Sequence, residues 1–492
     1  MISRRTRLLY GAGGGVYAVK EAAYMMFVLL FYTQVLGLSG SVTGIIIAVS
    51  LVWDAISDPL VGVLSDRHRS RFGRRHPFMV VSVLPLGLGF VGLFAPPDVV
   101  ISSQWLLGSW LLFWSLWVRT FITTFSIPHL ALSTDLAEDY QHRSEVLGSR
   151  MAFIFLTAVL LPATGLLLIF ATTGDTDGRF VADNYPLYGA LSCGVIWVLG
   201  TASCAGTRQY AVPGPNAGGM PPPTASLAEL GRDLGRTFKN RSFRLLLGYE
   251  VGIMMAYGVL STLNMLLWTY VWEFSPERVS IVLAAPSLIA VFLVLASIPV
   301  LGHRLHKCQQ LRLALIGLLI NCFWLYPLKL MGLIPENGTP AVFALNFLFM
   351  LVFMYFFMLR SVNTQSIIAD IADEHELETG LRQEGGFYSA LNFTAKLANV
   401  FGPAYAGIAL DIVGLPTGAQ PGEVSQEVID GLIIAAGIGV LPTLCFAIWM
   451  AMKIDVRRDR IESIQASLRE RRAAAGEVAG ADSLGHNPRP AN

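Results

Sequence analysis

Charge is scarce in this chain. Of 492 residues only 14% are Asp, Glu, Lys or Arg, against about 25% in an average soluble protein. A soluble enzyme of this length could not cover its surface with so few. The 35 basic and 34 acidic residues leave a net charge of +1, so no bulk electrostatic attraction to nucleic acid is expected. Cysteine is also sparse: Cys193, Cys204, Cys308, Cys322 and Cys445 stand singly in apolar stretches, with no CxxC and no histidine at ligand spacing. They are expected to be inert packing residues.

Hydrophobic residues, in contrast, make up 54% of the chain. About twelve membrane spans of roughly 20 to 25 residues would use half the chain or slightly more. Apolar runs broken by charge or turn clusters predict spans near 8–36, 42–64, 78–95, 103–132, 146–171 and 187–205. A second set follows near 243–271, 279–300, 309–333, 339–368, 386–413 and 429–453. Arg4, Arg5 and Arg7 before an apolar run imitate a signal peptide, but the run passes Tyr32 without a small-residue cleavage site, so it is read as a retained span. The fold class is therefore an all-α polytopic membrane protein. Its expected organisation is an N-terminal six-helix bundle at 1–205, a Gly- and Pro-rich linker at 206–242, a C-terminal bundle at 243–453 and a polar, partly disordered tail at 454–492. Basic residues set the orientation. Arg179 and Arg278 fall on one side, Lys20, Arg119, Lys329, Arg360 and Lys396 lie in or at the rim of spans, and the others fall on the opposite side. By the positive-inside rule both termini and the linker are cytoplasmic, which fits a plasma (inner) membrane protein.

The acidic run Asp135-Leu136-Ala137-Glu138-Asp139 at the end of the fourth span returns 235 residues later as Asp370-Ile371-Ala372-Asp373-Glu374 at the end of the tenth. Same-sense repeats six spans apart imply two bundles related by an axis along the membrane normal, with a cavity between them. Carboxylates at those positions oppose the helix dipole. Pairing of Asp135, Glu138, Asp139, Asp370 and Asp373 with Asp66-flanking loop arginines such as Arg67, Arg71 and Arg74, or with Arg382, would form a breakable cytoplasmic gate; independently solvated charges are the alternative.

Three charges stand in the membrane where solvation cannot explain them. Asp54 and Asp58 are four apart, on one face of the second span. A carboxylate there costs about 2.5 to 3.5 kcal/mol on insertion scales, so the pair needs a cation, a proton or a basic partner. Na⁺ or H⁺ would serve, and Na⁺ would make the pair a metal site. Bracing of the helix end by Asp58 is the plainer alternative. Lys396, in the middle of the eleventh span, can neutralise carboxylates of the other half. Further cavity candidates by composition are Lys20, Glu21 and Tyr24 in the first span and Trp117 and Arg119 in the fourth. Asn264 in the seventh, Asn363 and Gln365 in the tenth and Asn392 in the eleventh complete them. Singly, such residues serve as often in interhelical hydrogen bonds.

The stretches WDAISDPLVGVLSDRHRSRFGRRHPF and ADIADEHELETGLRQEGGFYSALNFTAKLANVFG resemble the glycoside-pentoside-hexuronide:cation symporters of the major facilitator superfamily, which include melibiose permease and animal lysolipid transporters. The resemblance spans both halves. It implies the major facilitator fold of twelve transmembrane helices in two six-helix bundles. It also implies a cation site at Asp54 and Asp58 assisted by Ser57 and Thr123, approached by Lys396. Where sugar-transporting members carry carboxylates and a stacking tryptophan, this chain carries Ala18, Ser126 and Leu130, while Arg150 matches a sugar-contacting arginine. Galactoside recognition is thus not implied. The expected activity is Na⁺- or H⁺-coupled symport of a glycoside, sugar or sugar acid, by a monomer with no cofactor, no enzymatic chemistry and no nucleic-acid partner. The substrate is a small molecule, anionic or amphiphilic in some readings, and membrane lipids are the other partner. The alternatives are a lysolipid or other amphiphile transporter on the same fold, and a transport-inactive sensor or scaffold.

Overall fold

The computed structural model describes residues 3–68, 70, 72–136, 140–174, 176–210, 240–379, 384–454, 463–464 and 467. The first half contains α1 (Arg4–Ala23, prolonged by π-helical turns to Val35), α2 (Gly40–Arg67), α3 (His76–Phe94), α4 (Gln104–Leu136), α5 (Tyr140–Leu168) and α6 (Asn184–Thr207). The second contains α7 (Arg241–Leu266, with a π-helical turn to Val271), α8 (Pro276–Arg304) and α9 (Lys307–Cys322, resumed at Leu325–Leu330). It is completed by α10 (Pro340–Thr379), α11 (Glu384–Asn399 and Phe401–Val413) and α12 (Gln426–Met452). Eleven of these are long and apolar enough to cross a membrane as continuous helices. The twelfth, α11, is broken at Val400 because Pro403 has no N–H to give the Asn399 carbonyl. No strand occurs among the described residues. The expected linker and tail lie largely outside the described residues.

Each half packs mostly on itself: α1 on α5 and α6, α2 and α3 on α4, α7 on α11 and α12, and α10 on α8 and α9. The halves meet where α2 lies on the second piece of α11 and α5 on α8. The α2–α11 contact is made by backbone. A Cβ on Gly44 would come within 2.2 Å of the Pro403 carbonyl oxygen, and one on Gly407 within 2.2 Å of that of Gly40, so only glycine permits this approach.

The repeat is visible in hydrogen bonds as well as sequence. In α1, Leu36 N–H donates to the Phe31 carbonyl and Leu38 N–H to Tyr32; in α7, Trp272 donates to Leu267 and Phe274 to Trp268. Gln34 and Tyr270, 236 residues apart, are bonded to each other at 3.0 Å across the pseudo-axis. At the same interval Ser39 and Ser275 cap α2 and α8.

The halves are joined by polar contacts on the face opposite the chain's N-terminus. Asp411 of α11 accepts from Gly40 N at 2.9 Å, Ser41 N at 2.8 Å and the hydroxyls of Ser39 and Ser41. Its charge sits at the positive end of the α2 dipole. Arg179, fully buried in the loop before α6, is held by Asp177 and donates to Thr269 Oγ1 at 2.7 Å and the Phe274 carbonyl at 2.6 Å. Glu277 accepts from Thr172 N at 2.8 Å.

On the other face the expected gate carboxylates are paired differently. Asp135 lies 2.7 Å from Arg74 and 3.2 Å from Arg75, and Asp66 3.8 Å from Arg75. Asp370 lies 2.7 Å from Lys307. Each pair is internal to one half, so Asp135 ties α4 to α3 and Asp370 ties α10 to α9; neither carboxylate bridges the bundles. Two guanidiniums offset the dipole penalty of Asp135 beside the end of α4. Asp370 is not at a helix end at all, since α10 continues through the acidic run to Thr379. Arg67 is exposed without an ion pair to a described residue, and Asp373 is partly exposed on α10. Arg71, Glu138, Asp139 and Arg382 lie outside the described residues.

Candidate functional site

The centre of α2 carries the chemistry. One helical turn separates Asp54 from Asp58, and Pro59 follows inside the unbroken helix. Their environments differ. The Asp54 side chain is 3% exposed and that of Asp58 19%.

Three cations converge on these carboxylates. Lys396, from the first piece of α11, donates to Asp54 Oδ2 at 3.2 Å and also to Asp58 Oδ2. Arg119 of α4 brings Nη1 to 3.5 Å from Asp54 Oδ2, and Lys20 of α1 brings Nζ to 3.7 Å. Lys20 also pairs with Glu21 at 2.6 Å. Lys20 and Arg119 are sealed in, whereas Lys396 is 26% exposed. Thus Asp54, Asp58 and Glu21 face Lys20, Arg119 and Lys396, three charges of each sign. Burying any one alone would be costly; together they are neutral.

Hydroxyls complete the inner wall. Thr123 Oγ1 lies 3.0 Å from both Asp54 Oδ1 and Asp58 Oδ1, and Ser57 Oγ lies 3.3 Å from Thr123 and 3.2 Å from the Asp54 carbonyl oxygen. A threonine has one hydroxyl proton, which the two carboxylates share or take in turn. The ring of Tyr24 lies beneath Arg119, 4.7 Å from the guanidinium carbon.

The other expected cavity residues do not all gather here. Arg150 of α5 is buried, and its enclosed Nε has no acceptor among the described residues. Ser126 is buried on α4. Trp117 points away, donating to the Pro85 carbonyl on α3 at 2.8 Å, so it is an interhelical anchor and not a wall of the site. Asn363 is spent within its own helix, donating to the Leu359 carbonyl at 2.9 Å. Asn264 is partly exposed, and Gln365 and Asn392 are exposed.

Residues that reading for polar cavity groups missed include Tyr17, whose ring lies 4.4 Å from Lys20 Nζ. A second buried ion pair in the C-terminal half was missed too: Arg360 of α10 reaches Glu250 of α7 at 3.2 Å and Tyr249 Oη at 3.1 Å. A glutamate within an apolar run was the available signal for Glu250.

Residues 9–455 match the family described as MFS/sugar transport protein, and the chain belongs to that family. Among curated proteins, it is 25% identical to the putative glycoside/cation symporter YagG of Escherichia coli, over 97% of both chains. It is 32% identical to the Synechocystis symporter sll1374 over 30% of this chain and 28% of that one. It is 28% identical to the sodium-dependent lysophosphatidylcholine symporter 1 of Gallus gallus over 32% of this chain and 29% of that one. Among solved structures, a D-xylose-proton symporter superposes with a TM-score of 0.63 at 14% identity, covering 90% of this chain and 96% of the other. The fold is the major facilitator fold, and the protein is a membrane transporter, not an enzyme.

Proposed function

We propose that the protein is a cation-coupled secondary symporter of a glycoside, sugar or sugar acid, with Na⁺ or H⁺ bound at Asp54 and Asp58. The observation that carries this reading is Lys396: a lysine from the second half rests on both carboxylates of the first. A lysine and a coupling cation compete for the same oxygens. Occupation by Na⁺ or H⁺ releases the tie between halves, and return of Lys396 expels the ion. Ser57 and Thr123 supply further oxygens. The segments 1–205 and 243–453 are the two bodies that rock about this site, joined by 206–242, with termini and the 454–492 tail cytoplasmic in a plasma membrane.

In this scheme the contacts of Asp411, Arg179 and Glu277 close the outer side. The site is then reached from the cytoplasm, on which side the more exposed Asp58 lies. A lysolipid cargo is the second reading, supported by the lysophosphatidylcholine symporter match over a third of the chain.

The test is uptake into liposomes under an imposed Na⁺ or H⁺ gradient, with counterflow measured in parallel. Asp58→Asn is expected to abolish gradient-driven accumulation while counterflow persists. Unchanged accumulation in both Asp54→Asn and Asp58→Asn would sink the site assignment. Movement of lysolipid, with no solute uptake, would favour the second reading.

A further inference from the structure

Three cations meet Asp54, but only one of them can leave. Lys396 stands on α11, in the other half, and is 26% exposed. Lys20 on α1 and Arg119 on α4 belong to the same half as Asp54, with side chains 1% and 2% exposed. However the halves rock, these two travel with the carboxylate. Arg119 cannot be relieved by losing a proton, since a guanidinium stays charged at any physiological pH. Its pair with Asp54 Oδ2, at 3.5 Å, is its one ion pair among the described residues.

Asp54 is also filled as an acceptor. Oδ2 is met by Lys20, Arg119 and Lys396 and Oδ1 by Thr123, which takes up the roughly four lone-pair sites of a carboxylate. Withdrawal of Lys396 leaves Asp54, Asp58 and Glu21 facing Lys20 and Arg119. One negative charge is then uncovered, and it lies on Asp58, which had Lys396 as its cation. A sodium ion drawn between the two carboxylates would stand beside two fixed positive charges that no rocking of the halves removes. Like charges held close together in a buried site repel strongly, and an ion leaves water only where opposite charge replaces its hydration.

We infer that Arg119, together with Lys20, is a tethered replacement for a free alkali cation, and that the carboxylate pair excludes sodium. This rests on the symport reading above and removes sodium from the two coupling ions named there. Asp54 is the permanent counter-ion of Arg119, held by residues of its own half. Arg119 and Lys20 thus determine ion selectivity, while Lys396 alone makes the contact that opens and closes between the halves.

The experiment uses the full-length protein in detergent, without substrate, and sodium itself as the probe. Melting temperature is followed in sodium chloride and in choline chloride at equal ionic strength, and binding of radioactive sodium is measured by equilibrium dialysis. Wild type is expected to melt alike in the two salts and to retain no more sodium than Asp58→Asn does. Arg119→Gln, which leaves Asp54 to Lys20 and Lys396, is expected to gain saturable stabilisation by sodium, with an apparent affinity at least about tenfold above wild type. Adding Asp58→Asn to that variant is expected to erase the gain, which assigns the ion to the carboxylate pair. Arg119→Lys keeps a positive charge at that position and is expected to stay blind to sodium, a result that loosened packing alone would not give. Lys20→Gln, which removes the other sealed cation, is expected to show the same gain and serves if Arg119→Gln does not fold. The inference is overturned if sodium stabilises wild type through Asp58, if neither neutral variant gains a sodium response, if the gain survives Asp58→Asn, or if Arg119→Lys gains as much as Arg119→Gln. Failure of the symport reading is read separately, because the readout is ion binding and not uptake. If the selectivity pattern holds while no solute accumulates under any gradient, symport falls and the role of Arg119 stands.

Discussion

Asp54 and Asp58 are one turn apart on α2, yet they should respond differently to the same change. Asp54 touches Lys20, Arg119 and Lys396, of which the first two are almost fully buried. Asp54→Asn strands the sealed Arg119 and leaves Lys20 to Glu21 alone, so it is expected to cost about 3 to 5 kcal/mol of stability and to lower the melting temperature of the detergent-solubilised protein sharply. Asp58 is more exposed and meets Lys396 alone among the cations, so Asp58→Asn should cost much less by the same measurement. Equal losses would show that the two carboxylates are not distinguished by burial. Lys396→Ala removes the competitor from both carboxylates. Half-maximal stabilisation by Na⁺, or by protons in a pH series, is expected at about tenfold lower ion concentration, equivalent to about 1.4 kcal/mol. A shift toward higher concentration would mean that Lys396 assists ion binding.

At the scale of elements, the contact between α2 and the second piece of α11 has no room for a side chain. Gly407→Val places atoms where Gly40 oxygen now sits, 2.2 Å from an ideal Cβ, so the side opposite the N-terminus should no longer close. A cysteine at position 34 is expected to become accessible, from the side opposite the N-terminus, to a membrane-impermeant thiol reagent, with transport lost. Asp411→Ala removes four contacts at the start of α2 and should move accessibility the same way, but by less, since the backbone contact remains. The break in α11 belongs to this seam: Pro403 ends the first piece, and a Cβ on Gly402 would meet Gly258 of α7 at 2.2 Å.

At the scale of the molecule, Gln34 and Tyr270 mark the pseudo-axis, equivalent positions bonded to each other. Cysteines at these two positions, in a background lacking the five native ones, should be joined by a short bifunctional thiol reagent, and uptake should then stop. Transport by the fully joined protein would show that the halves do not part on this side. The repeat stops short of the site. One interval on from Asp54 and Asp58 stand Ala290 and Val294 of α8, so the second half keeps the architecture without the carboxylates.

Apolar run lengths were enough to place twelve spans, because the bilayer makes burial of a run nearly independent of its neighbours. Asp54, Asp58 and Lys396 were legible for the same reason: a charge in a span is expensive wherever the chain puts it. Partnership was not legible. Trp117 and Asn363 have the side chains of cavity residues, but Pro85 and Leu359 already use them. Asp135 and Asp370 suggested a bridge between halves, while the nearest cations, Arg74 and Lys307, lie in their own. Asp411 and Gly407 carried no signal, since a carboxylate near a loop and a glycine in a span are ordinary until a second helix arrives. The sequence by itself determined the solvent, the number of crossings and which charges are anomalous, all properties of one segment against its medium. Only the tertiary structure decided which charges neutralise one another and which side is closed, because each of these depends on distances between segments far apart in the chain.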